Sequence, residues 1–562
     1  MISGAREARA SWFRRLVARA AARELDVFVV PGPEVARARG IDAEAAGLGA
    51  VPTPRHASVL LVVGEIPEGL KKAAAVAYAQ MARPRAVLAA GAGDVSPLPA
   101  PDVSVDLDQD ALVSGVSELR RSFVAGAFSP EATSFEAEEV QPEDEEGEEE
   151  GHDHGGHGHM HHGHMGHGSD GEEHDGSMEH GDHEGHASAE QEDQDAGEES
   201  EMDHGDADSI ATVDMEQYMP VSGEDFMSMV EMTQGMPASG DGLIMEWFEA
   251  PYGPLFPGLP SGLTLMLTLD GDNVAEVETE VEGWGPVEDR AGAVEGFADR
   301  MARLDPLSPV AYRLLVLRAV EDVTGAEVGE QAALARVGAL ERERAASHLG
   351  WLASFGYLVG DRWLSRRAAE LQLALLRAAD ADEVERLGAE AKKFVRRAGR
   401  TPLLKSKLEG IGLLGEDDAE VLGPVARAGG SKTDARTDEP VYRDLGFAPV
   451  VREGNDALAR LRVRLEEVER SLGLVREAGS IAAADLPAGA APSGTGTATV
   501  ETPRGAATVS VTVEDGEVSA VEFDAPSTRH LELVEGVMKG NEVADALVGV
   551  ASLDLSPWEV SR

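Results

Sequence analysis

Three short apolar runs stand near the start of the chain: Leu25–Val30 (LDVFVV), Ser58–Val63 (SVLLVV) and Ala86–Ala90 (AVLAA). They are nearly continuous rather than alternating, as in parallel strands buried on both faces. Between the last two, Glu68–Met81 carries apolar residues at helical spacing. Strand, helix and strand at this distance imply a right-handed crossover and a three-layer α/β domain, closed by a helix over Ala111–Phe123.

From about residue 244 the period changes. Leu263–Leu269 and Ala275–Glu280 alternate on either side of Asp270–Gly271, a hairpin signal. Long 3.6-period stretches follow and predict helices over Val310–Val323, Glu327–Phe355, Asp361–Ala378, Asp382–Ala398 and Asp456–Ala478, with a loop at Ala428–Val451. A Pro/Gly/Ser/Thr stretch at 487–498 reads as a linker. A second hairpin is expected around Asp515–Gly516, and a mostly helical tail over Thr528–Ala551. The expected architecture is an α/β domain at 1–128, a low-complexity linker at 129–243 and a largely helical α+β domain at 244–562.

Charge sharpens that division. The 562 residues carry a formal net charge of -54, and residues 136–208 alone hold 28 Asp and Glu with no Lys or Arg. One insert thus supplies about half of the net charge, and its self-repulsion predicts that residues 136–209 stay disordered without metal. The acidic balance excludes general nucleic-acid binding, which needs cations for phosphates. There is no cysteine, which excludes disulfides, thiolate zinc sites and cysteine-ligated iron–sulfur clusters. No run of about 18 apolar residues predicts a membrane span, and the N-terminus lacks the features of a signal peptide. Residues 5–24 read instead as a basic amphipathic helix.

Thirteen of the sixteen histidines fall in the acidic insert: His152, His154, His157, His159, His161, His162, His164, His167, His174, His180, His183, His186 and His204. Imidazoles on a Gly-rich chain can wrap zinc, nickel or copper at several interchangeable sites; the plainer reading is a spacer. Met215, Met219, Met227, Met229, Met232 and Met236 follow, and over Asp225–Met232 their spacing suits a short helix better than a copper site.

Two stretches carry a resemblance to known families. Pro54–Asp94 is similar to the B-type subunit of NADH-quinone oxidoreductase (respiratory complex I) and to the small subunit of energy-converting hydrogenases, implying a flavodoxin-like fold. Met245–Arg562 resembles the D-type subunit of complex I and the nickel–iron hydrogenase large subunit. It does so through YGPLFPGLPSGLTLMLTLDGD (252–272), ALERERAASHLGWLASFG (339–356), GPVARAGGSKTDARTDEP (423–440), ALARLRVRLEEVERSLGLV (457–475), ETPRG (501–505) and the segment 524–555.

The resemblance also implies functional positions that this chain fills differently. The small-subunit family's cluster cysteines fall at Pro31–Glu34, near Gly93 and near Asp108. The nickel cysteines fall at Ser556 and Glu559. The quinone-loop histidines fall near Phe256 and at Pro260 or Ser261, and the quinone tyrosine at Pro306. Arg344 and His348 are kept, while the acidic residue farther along that helix becomes Leu358. Glu341, Glu343 and Arg344 are expected to form a polar network facing the α/β domain.

The resulting expectation is a peripheral-arm subunit of a complex I-like or energy-converting-hydrogenase-related membrane complex. It would be structural or coupling in role, without an iron–sulfur cluster or nickel–iron centre. Its partners would be antiporter-like membrane subunits and other peripheral-arm subunits, placing it on the cytoplasmic face of the cell membrane. Its two folded regions would dock on each other. The alternative is divalent-metal binding or buffering through the His-rich linker.

Overall fold

The computed structural model describes residues 22, 25–125, 247–285, 287–415, 422–482 and 493–560. The segments 25–125 and 247–560 pack into one compact unit. Except for Ala22, the expected N-terminal helix lies outside the described residues, as do the linker, its histidines and the Met-bearing segment.

The α/β part contains β1 (Leu25–Val30), α1 (Pro33–Ala38), β2 (Leu48–Ala50), β3 (Val59–Val63), α2 (Glu68–Gln80), β4 (Ala86–Ala90), β5 (Val103–Val105) and α3 (Gln109–Ala125). The sheet is parallel, in the order β2-β1-β3-β4-β5. Alternate residues feed opposite faces. Val27, Val29, Leu61 and Val63 pack with Leu112, Val116 and Leu119 of α3, whereas Phe28, Val30, Leu60 and Val62 pack with Leu70, Ala74 and Tyr78 of α2. Both faces are covered, which is why the strands read as unbroken apolar runs. The elements α1, β2 and β5 are absent from the sequence expectation; β2 and β5 are three residues each, too short for a period.

The C-terminal part begins with an antiparallel sheet of β6 (Phe248–Tyr252), β7 (Leu263–Asp270) and β8 (Asn273–Val281). Leu263, Leu265, Leu267 and Leu269 of β7 point into the main core. The short β9 (Gly292–Ala293) and α4 (Phe297–Ala302) lead into α5 (Pro309–Thr324), α6 (Glu330–Leu358), α7 (Arg362–Arg377), α8 (Ala381–Ala398) and α9 (Pro402–Leu408). The expected loop at Ala428–Val451 is not continuous. It follows α10 (Gly423–Ala428) and contains a 3₁₀ turn at Ala435–Asp438 and α11 (Pro440–Asp444); helices this short carry no usable apolar period.

Next comes α12 (Ala457–Ala478), started by the Asp456 side chain, which accepts from the Ala459 N–H, and ended by Gly479 at φ +67. The start of α8 is capped by Asp380, which accepts from the Glu383 N–H, while the Glu383 carboxylate reaches back to the Ala379 N–H, one residue before the cap. The linker expected at 487–498 gives way to a strand, β10 (Gly494–Glu501), which pairs with β11 (Ala506–Glu514). Asp515 and Gly516 both adopt positive φ in the turn to β12 (Glu517–Asp524), as a two-residue hairpin requires. The sheet β10-β11-β12-β9 packs on α5. The tail is helical in three pieces, α13 (Pro526–His530), α14 (Val534–Met538) and α15 (Val543–Leu553), and ends in a 3₁₀ turn at Pro557–Glu559. Among the described residues, no helix is long and apolar enough to cross a membrane.

Candidate functional site

Two features concentrate polar chemistry: a buried ion network in the helical part, and the seam where that part meets the strand ends of the parallel sheet.

The network is built on α6 and α12. Arg436 pairs with Asp434 at 2.7 Å, Glu467 at 3.0 Å and Glu341 at 3.2 Å. Arg427 pairs with Glu467 and Glu501 at 2.8 Å and with Asp434 at 3.0 Å. Arg344 donates to the carbonyls of Thr502 and Glu501, and His348 Nε2 lies 2.8 Å from Glu467. All of these side chains are buried.

Burial alone would raise the Glu341 carboxyl, but Arg436 and Arg344, helped by the hydroxyls of Ser471 and Tyr442, outweigh it and hold it below its usual value. Glu467 is likewise driven well below, because Arg427, His348 and Arg436 together outweigh its burial. Burial lowers His348 more than Glu467 raises it, and its Nδ1 has no hydrogen-bond partner among the described residues.

A second cluster adjoins it through the loop Glu501–Gly505. Arg504 meets Asp305 at 2.6 Å and Asp554 at 3.6 Å, with Glu559 at 3.9 Å. Glu559 accepts from the Tyr312 hydroxyl at 2.5 Å and from the Ser527 N–H at 3.0 Å. Burial raises its carboxyl despite Arg504.

The expected network is therefore present but oriented differently. Glu341 and Arg344 engage Tyr442, Ser471, Arg436 and the 501–505 loop. Glu343 instead accepts from the Val310 and Ala311 N–H groups at the start of α5. Every one of these partners belongs to the C-terminal part, not the α/β part.

The structure places both Arg344 and His348 in the one network, Arg344 on Glu341 and the Glu501 and Thr502 carbonyls and His348 on Glu467. It brings Glu559, through Arg504, together with the Asp305–Ser308 turn that contains Pro306. Phe256 is apart from both, edge-on to Tyr252 at 5.2 Å against the main core. Ser556 donates its N–H to Ser527, and its own buried hydroxyl has no partner among the described residues. The sequence expectation does not single out Arg427, Asp434, Arg436, Glu467, Glu501 or Arg504 as site residues. The available signal is their position inside segments that are otherwise apolar or tightly turned.

At the seam, β1 runs into Pro31 and Gly32. The Ser261 hydroxyl donates to the Pro31 carbonyl at 2.6 Å and lies 3.1 Å from a Glu34 oxygen. A Cβ on Gly32 would fall 2.6 Å from that hydroxyl and 2.3 Å from Glu34, so the space beyond the first strand is filled. Arg37 donates to Gln372 at 2.8 Å. These contacts, rather than the Pro54–Asp94 stretch alone, join the two parts.

The groups implied by the resemblance do not fit these residues. A cluster seat needs thiolates, and the equivalent space holds the Ser261 hydroxyl set against the Pro31 carbonyl and the Glu34 carboxylate. A nickel seat needs soft donors, and Glu559 is committed to Tyr312, Ser527 and Arg504. Among the described residues, no three His, Asp or Glu converge as metal donors. Phe256 and Pro306 offer a quinone no side-chain hydrogen bond.

Comparison with known proteins gives a consistent pattern. Residues 378–490 and 486–562 match the family described as respiratory-chain NADH dehydrogenase, 49 Kd subunit. The chain is 29% identical to the D-type subunit of the NADH-quinone oxidoreductase of Desulfotalea psychrophila, over 56% of this chain and 97% of that one. It is 26% identical to the membrane-bound hydrogenase subunit alpha of Pyrococcus furiosus, over 55% of this chain and 86% of that one. A chain of the solved membrane-bound sulfane sulfur reductase, an archaeal respiratory membrane complex, aligns at TM-score 0.48 and 23% identity, over 56% of this chain and 99% of that one.

Proposed function

We propose that this chain is a peripheral-arm subunit of a complex I-like or energy-converting-hydrogenase-related membrane complex. One polypeptide joins a flavodoxin-like domain of the B-type small-subunit kind to a domain of the D-type, hydrogenase-large-subunit kind. Its work there is structural and conformational coupling rather than electron transfer. The similarity of the C-terminal part to a subunit of NADH-quinone oxidoreductase and to a membrane-bound hydrogenase subunit supports the assignment. One observation carries the redox-silent reading: the space after β1 is occupied by Ser261, Glu34 and the Pro31 carbonyl, in a chain without a single thiolate.

The partners are antiporter-like membrane subunits and other peripheral-arm subunits, which hold the chain on the cytoplasmic face of the membrane. Affinity purification from native membranes in mild detergent tests this. Antiporter-like subunits co-purify, and the anaerobic preparation of this chain separated from its partners shows no stoichiometric iron and no cluster signal in electron paramagnetic resonance. Purification without membrane subunits, or one cluster per chain, overturns the proposal.

The thirteen histidines between His152 and His204 favour a second activity, weak binding of zinc, nickel or copper. Zinc titration of the full chain against a variant lacking 129–243 separates the two: loss of all uptake in the deletion assigns it to that segment, and unchanged uptake removes this reading.

A further inference from the structure

In open parallel sheets, ligands bind outside the carboxyl ends of the strands, at the point where strand order reverses. Here the order β2-β1-β3-β4-β5 places that point between β1 and β3. The segment Ser556–Val560 closes the crevice there. Trp558 is 3% exposed and belongs to the same apolar cluster as Val30, Val62, Ile66 and Leu70, which line that end of the sheet. Its ring lies tilted against that of Trp284, with centroids 5.8 Å apart and an interplanar angle of 56°. The Arg39 guanidinium lies 5.7 Å from its centroid while donating to the Val63 and Glu65 carbonyls at the end of β3. The next residue, Glu559, is fixed from the other side by Tyr312 and Ser527.

We propose that the segment Ser556–Val560 acts as an intramolecular ligand: Trp558 fills the switch-point crevice of the α/β part, occupies the place a flavin or nucleotide would take, and supplies a main share of the affinity between the two parts. The inference goes beyond the proposed place in a membrane complex and does not depend on it. Its physical basis is that a buried aromatic in a desolvated pocket, flanked by a guanidinium, has the character of an interface anchor. Glu559 supplies the stiffness, since it prevents the tail from leaving the crevice without breaking buried hydrogen bonds.

The test uses the full chain with a specific protease site inserted between residues 140 and 235, cleaved after purification. The wild-type halves stay associated on dilution in analytical ultracentrifugation, and added FMN gives no binding heat or fluorescence quenching. Trp558→Ala weakens association at least about tenfold, whereas Phe447→Ala, in a separate small cluster around Val337 and Tyr442, leaves it unchanged. Should Trp558→Ala fail to fold, Arg39→Ala weakens association from the other side of the contact by several fold. Wild-type halves that separate on cleavage, a Trp558→Ala or Arg39→Ala chain that associates like wild type, or FMN binding to the wild type each overturn the proposal.

Discussion

Trp558 and Glu559 are neighbours in the chain, yet each is held by a different part of the fold: the indole by the strand ends of the parallel sheet, the carboxylate by Tyr312 of α5. The tight 3₁₀ turn at Pro557–Glu559 sends consecutive side chains in divergent directions. This turn thereby couples a three-layer α/β unit to a helical body.

The first prediction concerns that anchor. Tyr312→Phe removes the hydroxyl that donates to the buried Glu559 carboxylate at 2.5 Å. Urea denaturation shows a loss of about 1–3 kcal/mol, the cost of leaving a buried acceptor short of a donor. No change in the midpoint counts against the bond.

Arg436 neutralises Asp434, Glu341 and Glu467 at once, in a fully buried setting. Arg436→Ala leaves carboxylates uncompensated and destabilises by about 3–5 kcal/mol. Arg366→Ala breaks an exposed pair with Glu370, whose arginine is 81% exposed, and changes stability by less than about 1 kcal/mol. Comparable effects from the two variants in the same denaturation series rule out a special role for the network.

Burial pushes the Glu343 carboxyl up to about 8 from 4.5, against the opposing pull of the Val310 and Ala311 N–H groups. Between those values the unfolded chain has released a proton that the folded chain retains, so this group's contribution is present below pH 4.5 and is lost as pH rises through about 8. Thermal unfolding of Glu343→Gln therefore shows a shallower decline than wild type across this window. Parallel profiles defeat the assignment.

His530 behaves oppositely. Burial, reinforced by Arg464, lowers it from 6.5 to about 3, so the unfolded chain takes up a proton first. Stability is lost as pH falls from 6.5 toward 3. Replacing His530 by Asn reduces the measured slope by about one proton in that range; an unchanged slope assigns the acid sensitivity elsewhere.

Gly338 sits mid-helix in α6, where a Cβ would fall 1.7 Å from the Ser480 carbonyl. The backbone just beyond α12 has no rotamer with which to yield. Gly338→Ala costs about 1–3 kcal/mol through overpacking, despite alanine's better helix propensity. A stabilised variant in thermal melts shows that the helices can spread.

The long helices are legible in the sequence because their stripes are wide and their ends are marked: Asp361, Asp380 and Asp456 cap α7, α8 and α12. Both hairpins are legible from Asp-Gly turns. The start of β10 is not, because Gly494 and Gly496 resemble a linker. In the fold, Gly496 lies against Ala319 of α5 so closely that a Cβ would reach 2.1 Å from its carbonyl, and the glycine marks helix–sheet contact rather than flexibility.

What the sequence determined alone is local or compositional: the absence of thiolates, the acidic His-rich insert, the buried runs of a parallel sheet and the periods of the main helices. These depend on residues near one another in the chain. The pairing of Arg436 with Glu341, the meeting of Ser261 with Pro31 and the burial of Trp558 in one apolar cluster with Val30 were decided only by the tertiary structure. Each joins residues 95 or more positions apart. A charge or an indole carries no mark of its partner until desolvation and packing force it to find one, because its energy depends on the whole surrounding medium rather than on its neighbours in sequence.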